Sequence, residues 1–170
     1  TVDIADLPLP GEHNALNACA ALTAIEAAGE ATLAALRSIG TFRALPHRLQ
    51  TLGERGGITW IDDSIATTPQ ATLEALASLA GRAVTVLVGG HERGLDWRAF
   101  ARAVQPDPPH AIVTMGANGA RIAGVLRDAP GVYQLRAAAT LADAVAVARE
   151  ITPRGGVILL SSMSGLAGSG

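Results

Sequence analysis

Two short stretches of the sequence bring together residue types that could do chemistry. The denser is Asp62-Asp63-Ser64-Ile65-Ala66-Thr67-Thr68-Pro69. A carboxylate at a strand end, followed by hydroxyls leading into a helix start, can hold a ribose or a metal-bound water and present amides to an anion. The same residues also read as plain architecture, with Thr67 or Thr68 capping the helix and Asp63 forming a turn. The second stretch is Gly89-Gly90-His91-Glu92-Arg93-Gly94, where the glycines let backbone approach a ligand and Arg93 offers a planar fork suited to a carboxylate. A surface turn carrying solvated charges is the alternative there. Gly116-x-x-Gly119 lacks the first half of the dinucleotide fingerprint, and no acidic residue is placed to read a ribose from it. Those glycines read as room for close strand-to-helix packing.

Residue type excludes much else. All 13 basic residues are Arg, so no Schiff-base, P-loop or carbamylated lysine lies in this chain. His13, His47, His91 and His110 are scattered, with no i, i+4 pair and no Cys partner, which argues against a metal site built from protein ligands alone. His110 begins a strand and reads as structural. His47 precedes Arg48 in a connection where a paired cation can reach either side. No Ser stands in a nucleophile elbow, and covalent catalysis finds no support. The single Cys19 rules out a disulfide scaffold and fits a reducing cytoplasm. A net charge of -2 gives no reason to expect nucleic acid or an anionic membrane as partner. The longest uncharged apolar stretch, about Ala15 to Ile25, falls well short of the ~20 residues a spanning helix needs.

The elements that must position these stretches follow from periodicity. With 49% hydrophobic residues the chain is expected to fold, and with 3% aromatics its core is expected to be aliphatic. Residues 1–7 read as a short strand, followed by helices over about His13 to Ala28 and Glu30 to Ile39, each ended by a glycine. Arg48 to Leu52 and Ile58 to Asp62, joined through Glu54-Arg55-Gly56-Gly57, suggest a hairpin. Strands over 83–88, 110–115, 132–135 and 156–161 then alternate with helical segments over 69–79, 96–104, 119–126 and 141–151. Continuous apolar strands separated by helices predict a doubly wound, mostly parallel α/β sheet, with one antiparallel strand from the hairpin. Ligands of such sheets bind beyond the carboxyl ends of the strands, where both stretches and Ser161-Ser162 fall. The start at Thr1 and the Gly/Ser-rich end read as cut points, so the chain is expected to be part of a longer protein.

Four ordered blocks carry a resemblance: Leu7-Pro8-Leu9-Pro10-Gly11-Glu12-His13-Asn14 with Asn17; Phe42-Arg43-Ala44-Leu45-Pro46-His47-Arg48-Leu49-Gln50; the Asp62 to Pro69 stretch; and Gly89 to Gly94 extended through Leu95-Asp96-Trp97. Together they resemble the Mur ligases, the ATP-dependent amino-acid ligases of peptidoglycan precursor synthesis, over about Leu7 to Leu160. They are most similar to the glutamate-adding branch. The wording of the last two blocks, with Val113-Thr114-Met115-Gly116, is similar to the subgroup that adds L-glutamate.

The resemblance implies a three-domain, monomeric cytoplasmic enzyme. Residues 1–43 would be the helical end of its central ATP-binding domain and residues 44–170 its Rossmann-like C-terminal domain, inactive alone. It implies UDP-N-acetylmuramoyl-L-alanine, glutamate and ATP as substrates, with an acyl phosphate formed from the first and attacked by the glutamate amine. ATP and Mg²⁺ would be held mainly by the central domain, whose P-loop and carbamylated lysine would lie upstream of Thr1. Carried over, Asn17 would contact adenine, His13 would lie near the nucleotide, and Arg48 and Asp63 would hold its ribose and phosphate side. Ser64 and Thr67 would flank the phosphate and the incoming amino acid, Arg93 would bind a glutamate carboxylate, and Ser161 would lie on the glutamate side. Two positions depart from the pattern. Ile65 stands where the D-glutamate enzymes have a lysine, and Ser162-Met163-Ser164-Gly165 replaces the proline and small-residue loop that holds glutamate. A D-glutamate-adding ligase and a non-catalytic α/β nucleotide-binding module are the alternatives.

Overall fold

A computed structural model describes residues 12–39, 41, 45–90, 94–129 and 131–162. The strand read over residues 1–7 lies outside them. The chain divides into two compact units, residues 1–45 and 46–170.

The first unit is helical, with α1 over Glu12–Ala27 and α2 over Thr32–Ile39. Gly29 ends α1 because it takes φ 77°, which lets its own amide donate to the Glu26 carbonyl and the Glu30 amide donate to that of Ile25. These paired bonds satisfy the carbonyls that a helix end otherwise leaves bare.

The second unit is a six-stranded sheet. Its elements are β1 (Gln50–Arg55), β2 (Ile58–Asp62), α3 (Pro69–Ala77), β3 (Val84–Gly89), α4 (Trp97–Ala103), β4 (Ala111–Met115), α5 (Gly119–Arg127), β5 (Gln134–Ala137), α6 (Leu141–Ile151) and β6 (Val157–Ser162). The strand order is β1-β2-β6-β3-β4-β5. β1 pairs antiparallel with β2 and every other pairing is parallel. From β2 to β5 the chain steps in one direction across the sheet; after β5 it returns and inserts β6 between β2 and β3. Right-handed crossovers put helices from opposite directions of travel on opposite faces. Accordingly α3, α4 and α5 pack on one face, where Ala75, Trp97, Phe100, Ile122 and Leu126 meet Val84, Val86, Ile112 and Leu159. On the other face α6 meets Leu87, Val113 and Ile158 through Ala144 and Ala148. β3 and β4, covered on both faces, are buried at every residue.

The doubly wound α/β reading therefore holds, with two differences in detail. The core is not purely aliphatic. Trp97 and Phe100 are among its largest fully buried side chains, with ring centroids 5.0 Å apart in an edge-to-face arrangement. Such a pair adds about 0.5–1.5 kcal/mol beyond its burial and anchors α4 to the sheet. In the hairpin, β1 runs on through Glu54 and Arg55, and the turn is Gly56-Gly57 alone. Both glycines have positive φ, 67° and 78°, as a two-residue hairpin turn requires.

Candidate functional site

The register places the carboxyl ends of β2, β6 and β3 side by side. Asp62 pairs with Leu160, Val88 with Ser161 and Gly89 with Ser162, and the Asp63 amide prolongs the ladder by donating to the Leu160 carbonyl at 2.8 Å. Asp63, Ser64, Thr67 and Ser161 thus come to one edge of the sheet, as the sequence suggested.

A bulge in the hairpin brings a fifth residue, Arg48, to that edge. The β1–β2 register slips by one residue between Thr51 and Gly53, where Gly53 takes φ 127°. Such a slip re-aims everything that precedes it. As a result, residues 47–49 lie opposite 63–65. Leu49 N donates to Asp63 Oδ1 at 3.0 Å, and Ile65 N donates to the His47 carbonyl at 3.3 Å. His47 Nδ1 lies 2.7 Å from Asp62 Oδ2, while Asp62 Oδ1 accepts from Ser64 N at 2.9 Å. Burial pulls the Asp62 carboxyl upward, but hydrogen bonds from the His47 ring and Ser64, with the His47 charge, outweigh it and hold the group below its ordinary value of 3.8. The Asp62–His47 pairing was missed in the sequence because its partners are fifteen residues apart and meet only through the bulge.

The loop after β2 combines both sequence readings. Thr68, not Thr67, caps α3: its side chain accepts from Ala71 N, and Pro69 follows at the helix start. Thr67 is left exposed, with no hydrogen bond on its hydroxyl among the described residues; Ser64 is half-buried. Ile65 is 47% exposed, an apolar side chain on a polar turn. Asp63 is buried at 6% exposure and ties the loop to the 47–49 turn. The Arg48 side chain is half-buried and has no ion-pair partner among the described residues.

Ser161 faces inward, fully buried, with its hydroxyl 2.8 Å from that of Thr72 on α3. Gly89, the last residue of β3, and Gly90 lie close against β4. A Cβ on Gly89 would lie 2.8 Å from the Met115 carbonyl carbon, the Gly90 amide donates to the Met115 carbonyl, and the Asn118 amide donates to that of Gly90. A Cβ on Gly119 would meet Thr114 only at ordinary contact, 3.4 Å from its carbonyl carbon, so the strand-to-helix packing there does not itself require glycine. His110 is structural, with Nε2 2.9 Å from the Ile151 carbonyl oxygen. Arg93 and His91 lie outside the described residues, as does the side chain of His13 in the first turn of α1. Asn17 is exposed on α1. No group of three or more His, Cys, Asp or Glu able to hold a metal occurs among the described residues, and none of their helices is long and apolar enough to cross a membrane.

The pattern described as "Mur ligase, glutamate ligase domain" matches residues 47–163. The chain is 51% identical over 162 residues to a UDP-N-acetylmuramoyl-L-alanine--L-glutamate ligase of Xanthomonas axonopodis pv. citri, covering 94% of this chain and 35% of that protein. It is 38% identical to a protein of the same name from Salinispora tropica, covering 91% of this chain and 35% of that protein. The chain thus spans about a third of the length of the curated relatives it matches. Among solved structures it is similar to UDP-N-acetylmuramate-alanine ligase from Thermotoga maritima, with a TM-score of 0.71 at 22% identity, covering 93% of this chain and 36% of that one.

Proposed function

This chain belongs to the Mur ligase family, and on that premise we propose that it is the amino-acid-accepting part of an ATP-dependent ligase. The ligase joins L-glutamate to UDP-N-acetylmuramoyl-L-alanine in peptidoglycan precursor synthesis. One observation carries the reading. The bulged hairpin and the end of β2 bring a forked cation with no ion-pair partner among the described residues, a buried carboxylate and two hydroxyls to the edge beside β6 and β3. That edge is where sheets of this kind bind ligands.

In this reading Arg48 pairs with phosphate oxygens of ATP, for which a guanidinium fork is well shaped. Asp63 supports the ribose side and holds the Arg48 turn in place. Ser64 and Thr67 offer hydroxyls to the transferring phosphate and the incoming amino acid. On the first unit, Asn17 is assigned to adenine and His13 to the nucleotide. Arg93 is assigned to a glutamate carboxylate. Ile65 provides no cation for a carboxylate, and the choice of L-glutamate over the D-glutamate alternative is supported by the relatives named for L-glutamate. Ser161, its hydroxyl engaged by Thr72, supports the edge from within. Mg²⁺ would neutralise phosphate charge when bound with ATP, and its ligands are assigned, from the resemblance to the family, mainly to the central domain. The single Cys19 fits a reducing cytoplasm, and a monomer is assigned from the resemblance to the family alone.

The test is isotope tracing in the full-length protein. With carboxyl-¹⁸O-labelled UDP-N-acetylmuramoyl-L-alanine, ATP, Mg²⁺ and L-glutamate, an acyl phosphate route transfers one labelled oxygen to the released phosphate. Unlabelled phosphate, or no amide product, refutes the proposal.

A further inference from the structure

Arg48 stands between two residues whose backbones lie in the left-handed region, His47 at φ 65° and Leu49 at φ 45°. That conformation costs a residue bearing a Cβ on the order of 1 kcal/mol or more, and it persists only where the surroundings enforce it. Here two adjacent carboxylates do so. Asp63 takes the Leu49 amide and Asp62 takes the His47 ring, so each neighbour of Arg48 is tied to the end of β2. The other Asp62 oxygen holds the Ser64 amide, which makes one carboxylate the common fastening of the Arg48 turn and of the hydroxyl loop. Gln50 Oε1 completes the turn by accepting from His47 N at 3.0 Å. No carboxylate among the described residues grips the Arg48 guanidinium, so its aim is set by its backbone.

We propose that His47 and Asp62 form a positioning pair that holds Arg48 in register with the Ser64–Thr67 loop, so that both address the same phosphate group. The proposal rests on the reading of Arg48 as a phosphate contact. His47 is 62% exposed, and exposed ion pairs contribute little to stability. The pair's main effect is therefore on geometry at the nucleotide, with a smaller contribution to stability.

The test uses steady-state kinetics of the full-length protein, with KM for ATP, KM for L-glutamate and kcat measured separately. His47→Gly deletes the ring while taking the left-handed backbone without strain. His47→Asn tolerates that backbone and places an amide nitrogen near the position of Nδ1. The KM for ATP is expected to rise about tenfold or more in His47→Gly, as loosened positioning does, and to return to within about threefold of wild type in His47→Asn. The KM for glutamate stays unchanged in both. Asp62→Asn keeps an oxygen for the Ser64 amide but sets an amide nitrogen against the His47 ring, and replaces His47→Gly if that variant fails to fold. A wild-type KM for ATP in folded His47→Gly, a parallel rise in both KM values, or no recovery in His47→Asn overturns the assignment while wild-type turnover stands. A wild type without glutamate-dependent turnover refutes the functional reading, and the pair falls with it.

Discussion

Ser161→Ala tests whether the end of β6 is held from inside the sheet. The Ser161 and Thr72 hydroxyls lie 2.8 Å apart and both residues have zero exposure, so water cannot replace a missing partner. Deleting the Ser161 hydroxyl strands that of Thr72, at a cost of about 1–3 kcal/mol. Thr72 lies in α3 with its amide already bonded to the Thr68 carbonyl, and its hydroxyl can turn toward the preceding turn of the helix. This partial rescue brings the expected loss to about 1–2 kcal/mol. Thr72→Val strands the Ser161 hydroxyl in the same way. The double variant leaves no polar group unpaired and is expected to be less destabilised than the two single losses added together, with a coupling of about 1 kcal/mol. Urea unfolding of the 170-residue chain measures this, as midpoints that shift with an unchanged slope. The reasoning fails if Ser161→Ala unfolds within about 0.3 kcal/mol of wild type, or if the two single losses simply add.

Three further outcomes follow from the same structure. Gly89→Ala is expected to cost more than about 4 kcal/mol or to prevent folding, since its Cβ would overlap the Met115 carbonyl at φ 146° and force β3 from β4; a melting temperature near wild type contradicts this. Asp62 has a folded pKa below its unfolded 3.8, so its stabilisation is present above that value and lost as pH falls through the folded one. Stability measured downward from about pH 5 should therefore fall more steeply in wild type than in Asp62→Ala, and parallel curves would contradict the pairing. Arg93→Ala in the full-length protein should weaken glutamate binding by about 1.5–3 kcal/mol, the loss of a charge-assisted contact, and an unchanged glutamate KM refutes that role.

How far the sequence could be read depended on whether the signal was local. β3 and β4 are runs of β-branched and apolar residues, buried throughout, and the pattern alone places them and the helices between. Thr68 and Pro69 announce the start of α3 in the same local way. The clamp on Arg48 is different. It depends on one slipped register at Thr51 and Gly53, and in sequence Gly53 is simply another glycine. Once the register is known, the alignment of His47 with Ile65 and of Leu49 with Asp63 follows. Gly89 illustrates a second limit. A glycine signals that something comes close, not whether it is a ligand or the neighbouring strand, and here it is Met115. The aromatic count misled for a related reason: few rings say nothing about where they stand, and two of them fill the core beneath α4.

The most direct test of the central reading is the initial rate of ADP formation by the full-length protein with ATP, Mg²⁺ and UDP-N-acetylmuramoyl-L-alanine, comparing L-glutamate and D-glutamate side by side. The expected result is ADP formation that requires an amino acid and is much faster with the L enantiomer. Preference for D-glutamate would contradict the enantiomer assignment, and no stimulation by either would contradict the ligase reading itself.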